Sequence, residues 1–191
     1  YDIIKGLVPS VGGLAKSVAR YSEEALLAWT RDIDNPNRAN QLGMTMLDIF
    51  QRNQNNRRIT LPLLKMFEKL FNKGLFDSLV VDKSVFSLGL IDCLKCEIRC
   101  CSDVHRLLGT VGVANGLLSS LHDEAIRKDL LRFLLSMLGH GFPRVRRFTA
   151  DQMYVSLLED SSIIPTQSGI DGSLNFLLTA HWEDDSLMSD D

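Results

Sequence analysis

Apolar positions recur every three to four residues along almost the whole chain, interrupted by short polar or Gly/Pro-containing breaks, the pattern of successive amphipathic helices. The clearest instance lies between residues 126 and 158. Ile126, Leu130, Leu134 and Met137 share one face of a first helix, and Ala150, Met153, Tyr154, Leu157 and Leu158 line a second. Gly139 and Gly141 offer the backbone angles that end a helix, and Pro143 suits the first turn of the next.

The same signals predict helices throughout. The first covers 1–13 and ends at Gly12-Gly13; the second covers 22–33, with Ser22 as cap and Glu23 and Glu24 favouring its N-terminus. A third opens at Asn35-Pro36 and runs to about residue 54, before the polar loop Gln51–Arg58. A fourth starts at a Thr60 cap and stops at Gly74. Helices over 83–101 and 103–120 follow, the latter starting at Ser102, then 124–139, 143–159 and a short one near 171–180. Leu79-Val80-Val81 is too short to argue for a strand.

Taken in pairs, the units begin near residues 1, 37, 83 and 124. Their spacings of about 36, 46 and 41 straddle those of HEAT or armadillo units. The order apolar helix, turn, Pro-x-Val-Arg, then a small residue (Ala150) four positions after Arg146 also resembles a HEAT-type repeat. The expected fold is all-α, a HEAT/armadillo-like solenoid of antiparallel helix pairs forming one domain over 1–182. Such stacks form extended binding surfaces and seldom catalyse.

Composition narrows the function classes. The chain has 191 residues, 45% apolar and 24% charged, enough for one substantial core. The net charge of −3 gives no general electrostatic case for nucleic acid. Five carboxylates and no base lie within 183–191, leaving the rest at +2; that end reads as an acidic, disordered tail. No run is long and apolar enough to span a membrane, and no signal-peptide pattern occurs. A start on Tyr1 within an apolar pattern is expected of a piece excised from a longer protein.

Cys93, Cys96 and Cys100 fall at i, i+3 and i+7 of a predicted helix, with Cys101 beside them. They read as small structural thiols in a reducing compartment, because ligands on one continuous helix surround a tetrahedral ion poorly, even with His105 added. No metal and no cofactor is expected. Catalytic constellations are absent as well: Gly12-Gly13 lacks the Gly-Lys-Ser/Thr of a phosphate loop, and no Gly-x-Ser-x-Gly elbow occurs. The best binding feature is basic. Arg144 and Arg147, three residues apart, share an outward face suited to an acidic partner. Arg146 stands where HEAT-like units place a structural ion pair between repeats. Trp182 either caps the last helix or anchors a partner, whereas Trp29 falls in line with core positions. Arg57 and Arg58 belong to a loop.

Several blocks then point past a generic repeat. They are Gly6-Leu-Val-Pro-Ser-Val-Gly-Gly-Leu14 with Arg20-Tyr-Ser22, Leu61-Pro-Leu-Leu-Lys65 continuing to Gly74-Leu-Phe-Asp77, and Phe142-Pro-Arg-Val-Arg-Arg-Phe-Thr-Ala150 continuing through Gln152, Tyr154 and Leu157-Leu158. Together they resemble, in order and over nearly the whole chain, the C-terminal domain of tubulin-folding cofactor D. Ala180-His-Trp-Glu-Asp-Asp185 resembles that family's Trp-Asp element near the end. The chain departs from the family in stopping soon after Trp182, and its segment 93–101 matches only in helical character.

The resemblance implies a cytoplasmic, cytoskeleton-associated tubulin chaperone. Its HEAT repeats would hold β-tubulin and, with tubulin-folding cofactors E and C and an Arf-like small GTPase, assemble and take apart the αβ heterodimer. It implies a non-catalytic scaffold, since the arginine that stimulates GTP hydrolysis by tubulin is assigned to cofactor C. Docking on the parent chain's remaining repeats is an equal use of the surface. A HEAT/armadillo adaptor from a transport or phosphatase assembly is the alternative, and an enzyme would need a polar pocket with perturbed titrating groups.

Overall fold

The computed structural model describes residues 6, 16–30, 37–80, 85–164 and 167–183. Nine α-helices occur among them: α1 (Lys16–Thr30), α2 (Arg38–Arg52), α3 (Arg57–Phe71), α4 (Asp77–Val80), α5 (Val85–Ile98), α6 (Val104–Ser120), α7 (Glu124–Leu138), α8 (Pro143–Glu159) and α9 (Gln167–Thr179). A 3-10 turn, Ser161–Ile163, follows α8, and the described residues contain no strand. The described residues are helical with no strand, as the periodicity predicts.

Several predicted boundaries need correction. α1 begins at Lys16, so Ser22 lies inside it, and α3 begins at Arg57, so Thr60 is a buried interior residue whose hydroxyl has no partner among the described residues. Asp103, not Ser102, caps α6: its Oδ1 accepts the His105 N–H at 3.1 Å. Gly139 ends α7 at φ −89°, where any residue fits, so its special freedom is not used there. α5 ends at Ile98, and Cys100, exposed and at φ +56°, lies beyond it, off the face shared by Cys93 and Cys96. Leu158 is 59% exposed rather than part of the α8 core face. The predicted helix 1–13 falls outside the described residues apart from Gly6.

Short connections (53–56, 99–103 and 139–142) join α2 to α3, α5 to α6, and α7 to α8, and the members of each pair pack together. Between pairs, α2 packs on α5 and α5 on α7, while α3 packs on α6 and α6 on α8; α9 covers α8. One core runs through all of them. At one end Phe67 packs its ring against Phe50, Phe76 and Phe86 at centroid distances of 6.3, 6.0 and 6.3 Å. Each such buried ring contributes roughly 2–3 kcal/mol by leaving water.

The α3–α6 contact is close because α6 presents a stripe of glycines to it. A Cβ at Gly109 would stand 3.2 Å from the Leu64 Cβ, and one at Gly116 only 2.8 Å from the Phe71 Cβ. Gly109, Gly112 and Gly116 span the same two turns as Leu64, Glu68 and Phe71, which they face in that order, so bulk on one helix meets its absence on the other. Glu68 is half-buried in this seam, and the loss of water raises its carboxyl pKa.

Candidate partner-binding surface

Helical geometry separates the three arginines of α8. Arg144 and Arg147 are exposed and line an open groove of about 650 Å³ between the N-terminal halves of α6 and α8. Leu108, Pro143 and Phe148 give this groove apolar walls, and Asp151 and Glu183 complete its rim. Arg147 Nε lies 3.1 Å from Asp151 Oδ1, one turn away, with both side chains about half exposed; such a pair is weak and open to exchange. Among the described residues Arg144 has no ion-pair partner.

Arg146 points the other way and is 1% exposed. Its Nε donates to the Trp182 carbonyl at 2.9 Å, and its Nη1 donates to the carbonyls of His140 and Gly141 at 3.0 and 3.3 Å. The guanidinium therefore closes the α7–α8 turn onto the segment that follows α9. Charge-assisted bonds of this kind offset the cost of burying the cation. His140 Nδ1 accepts the Phe142 N–H at 3.1 Å. Burial, reinforced by the nearby Arg146 charge, holds the His140 pKa below the usual imidazole range, so this nitrogen stays free to accept.

Trp182 is only 5% exposed. Its indole N–H donates to the Leu177 carbonyl at 2.9 Å, and its ring stands edge-on to Phe176 at 5.3 Å. This is the seat of a cap over α9, and the ring is not presented to a partner. Its neighbour Glu183 reaches the arginine groove, while the rest of the predicted acidic tail lies outside the described residues.

Sequence reasoning missed a second buried arginine. Arg106, near the start of α6, donates from Nε to Glu97 Oε1 at 2.7 Å and from Nη2 to Asn55 Oδ1 at 3.1 Å. Asn55 returns a backbone N–H to Glu97 Oε2 at 2.8 Å, from a left-handed φ of +63°. Arg106 and Glu97 thus form an ion pair that ties one helix pair to the loop of the preceding one. An arginine in the first turn of both α6 and α8 was the available signal. Further along α6, Asn115 Oδ1 accepts the Ser156 hydroxyl of α8 at 2.9 Å, both residues being buried.

The model of the tubulin folding cofactor D C-terminal family matches residues 1–106. The chain belongs to that family. No solved structure matches it significantly. The cofactor D match spans α1 to the start of α6, including the blocks at 6–14, 20–22 and 61–77 and the Asn55–Glu97–Arg106 network. The arginine groove, Trp182 and the Phe142–Leu158 block lie beyond the matched span, so the family assignment rests on the N-terminal half. Among the described residues, no three of His, Cys, Asp and Glu gather as metal ligands. No described helix is long and apolar enough to cross a membrane.

Proposed function

We propose that this chain is a protein-binding segment of a cytoplasmic, cytoskeleton-associated tubulin chaperone: a HEAT/armadillo-like scaffold over residues 1–182, with an acidic tail from 183, that takes part in β-tubulin capture. Its other partners are tubulin-folding cofactors E and C, an Arf-like small GTPase and the parent chain's remaining repeats, and it contributes no catalytic group. The family match over residues 1–106 carries this reading. The succession of helix pairs, each resting on the next, supports the solenoid.

Arg144 and Arg147 are the proposed contact for an acidic surface of a partner, because both guanidinium groups are exposed beside apolar walls. Trp182 shapes this surface from beneath through the Arg146 bond to its carbonyl. In the full-length protein, the double variant Arg144→Glu/Arg147→Glu should keep its fold, since exposed substitutions change stability by about 0.5 kcal/mol or less. Co-elution with tubulin and cofactors E and C should weaken, and wild-type assembly should itself loosen as salt rises. Unchanged assembly and unchanged tubulin-dependent GTP hydrolysis would remove the arginines from the interface.

A further inference from the structure

The arginine groove is one end of a longer furrow. A second open groove, of about 470 Å³, lies between the same two helices at their C-terminal halves, closed on its third side by the end of α3. On α8 the first groove uses Arg144, Phe148 and Asp151, and the second uses Gln152, Val155 and Glu159. These positions form one stripe at helical spacing. On α6, Leu108 lines the first groove and Asn115 and Ser119 the second, again on one stripe. Both grooves therefore open on the same face and follow one another along it. From Arg144 to Glu159 the furrow is about 22 Å long at 1.5 Å per residue.

Its chemistry changes along that length. At one end neither Arg144 nor Glu183 has an ion-pair partner among the described residues, and at the other Glu159 is the one charged residue lining the groove among those described. Between them stand carboxamides. The Ser156 hydroxyl donates to Asn115 Oδ1, which anchors the amide of a largely buried residue that still lines the second groove. Gln152 is half-buried in the wall, and neither amide nitrogen has a partner among the described residues. Carboxamides carry one acceptor and paired donors, the complement of a peptide group. The ring of Phe71 is buried, so the second groove offers no aromatic face to stack a base or sugar, and no cation there to hold a phosphate.

We infer that this furrow takes an extended segment of a partner polypeptide. The segment's main chain pairs with Asn115 and Gln152, an acidic residue meets Arg144, and a basic residue meets Glu159. An extended chain advances about 3.3 Å per residue, so the two charges stand about six or seven residues apart. This deepens the scaffold reading above and rests on it, but it commits to a peptide and to a direction.

A random nonapeptide library displayed on phage, panned on the full chain, tests it without tubulin. The expected result is enrichment of sequences with an acid and a base about six positions apart. Synthetic versions, followed by fluorescence anisotropy, should bind about tenfold more weakly to Arg144→Glu and to Glu159→Lys, with affinity regained when the matching peptide charge is reversed. Gln152→Ala should weaken binding too, and N-methylation of the central peptide amides should abolish binding to the wild type, a result independent of whether any variant folds. No enrichment, or enriched peptides indifferent to Glu159→Lys or to N-methylation, overturns the inference. Sensitivity to Arg144→Glu alone also overturns it, while leaving the arginine contact proposed above intact.

Discussion

A guanidinium in a protein interior is costly unless its donors are met, and Arg146 meets them with three backbone carbonyls from two separate segments. Arg146→Ala leaves those acceptors unpaired and opens space beneath the α7–α8 turn. Urea unfolding should show a loss of about 2–4 kcal/mol, with Arg146→Lys in between because an ammonium cannot reproduce the fork. A wild-type midpoint for the alanine variant would mean that water serves those carbonyls equally well. Cys93 gives a pH signature at the same scale. Burial pushes its thiol up to about 11, whereas an unfolded thiol ionises near 8.5. The native state thus keeps a proton that the unfolded state releases. The stabilisation is complete below the unfolded pKa and is lost as pH rises toward 11. Iodoacetamide should accordingly modify exposed Cys100 well before Cys93 at pH 8, as read by peptide mass spectrometry; equal rates would contradict the burial. The special standing of Arg146 was legible because it follows Pro-x-Val at the head of a helix. Its acceptors were not, since the carbonyl it binds lies at Trp182, and carbonyls carry no sequence signature.

At the scale of the element, the paired helices were legible because periodicity fixes a buried face: Ile126, Leu130, Leu134 and Met137 are all buried. Helix starts were less so. Ser102 and Asp103 are both good caps in a sequence, and only the fold decides which carbonyl and amide vectors align. Arg146, Thr149 and Ser156 take buried places on α8 that apolar periodicity would assign to hydrophobes: Arg146 and Ser156 have tertiary partners, and the Thr149 hydroxyl returns to the Val145 carbonyl of its own helix. The glycines of α6 are the condition for its contact with α3. Gly116→Ala should lower the melting temperature by the equivalent of about 1–3 kcal/mol, since the new methyl meets the Phe71 Cβ. Gly172→Ala in α9 meets nothing within 4 Å and should raise stability by up to about 1 kcal/mol. The opposite signs are the test; two gains of equal size would mean that intrinsic propensity, not the α3 contact, governs both sites.

For the whole molecule, the matched family and the helical succession place the chain among tubulin folding cofactor D C-terminal regions. Function enters through surfaces the helix pairs leave open. The candidate arginines were visible in the sequence as neighbours at i and i+3, but the furrow that unites them with Asn115 and Gln152 was not. It depends on α6 and α8 lying side by side, a contact between successive pairs that no local pattern encodes. The same dependence on distant partners bears on how the protein is made. One carbonyl that accepts from Arg146 belongs to Trp182, 36 residues further on. While the chain is being synthesised, α8 leaves the ribosome carrying a cation destined for the interior before this acceptor has been translated. The α7–α8 turn therefore cannot be closed until Trp182 arrives, and a nascent chain stalled before it would present that unfinished core to the cell's quality-control machinery.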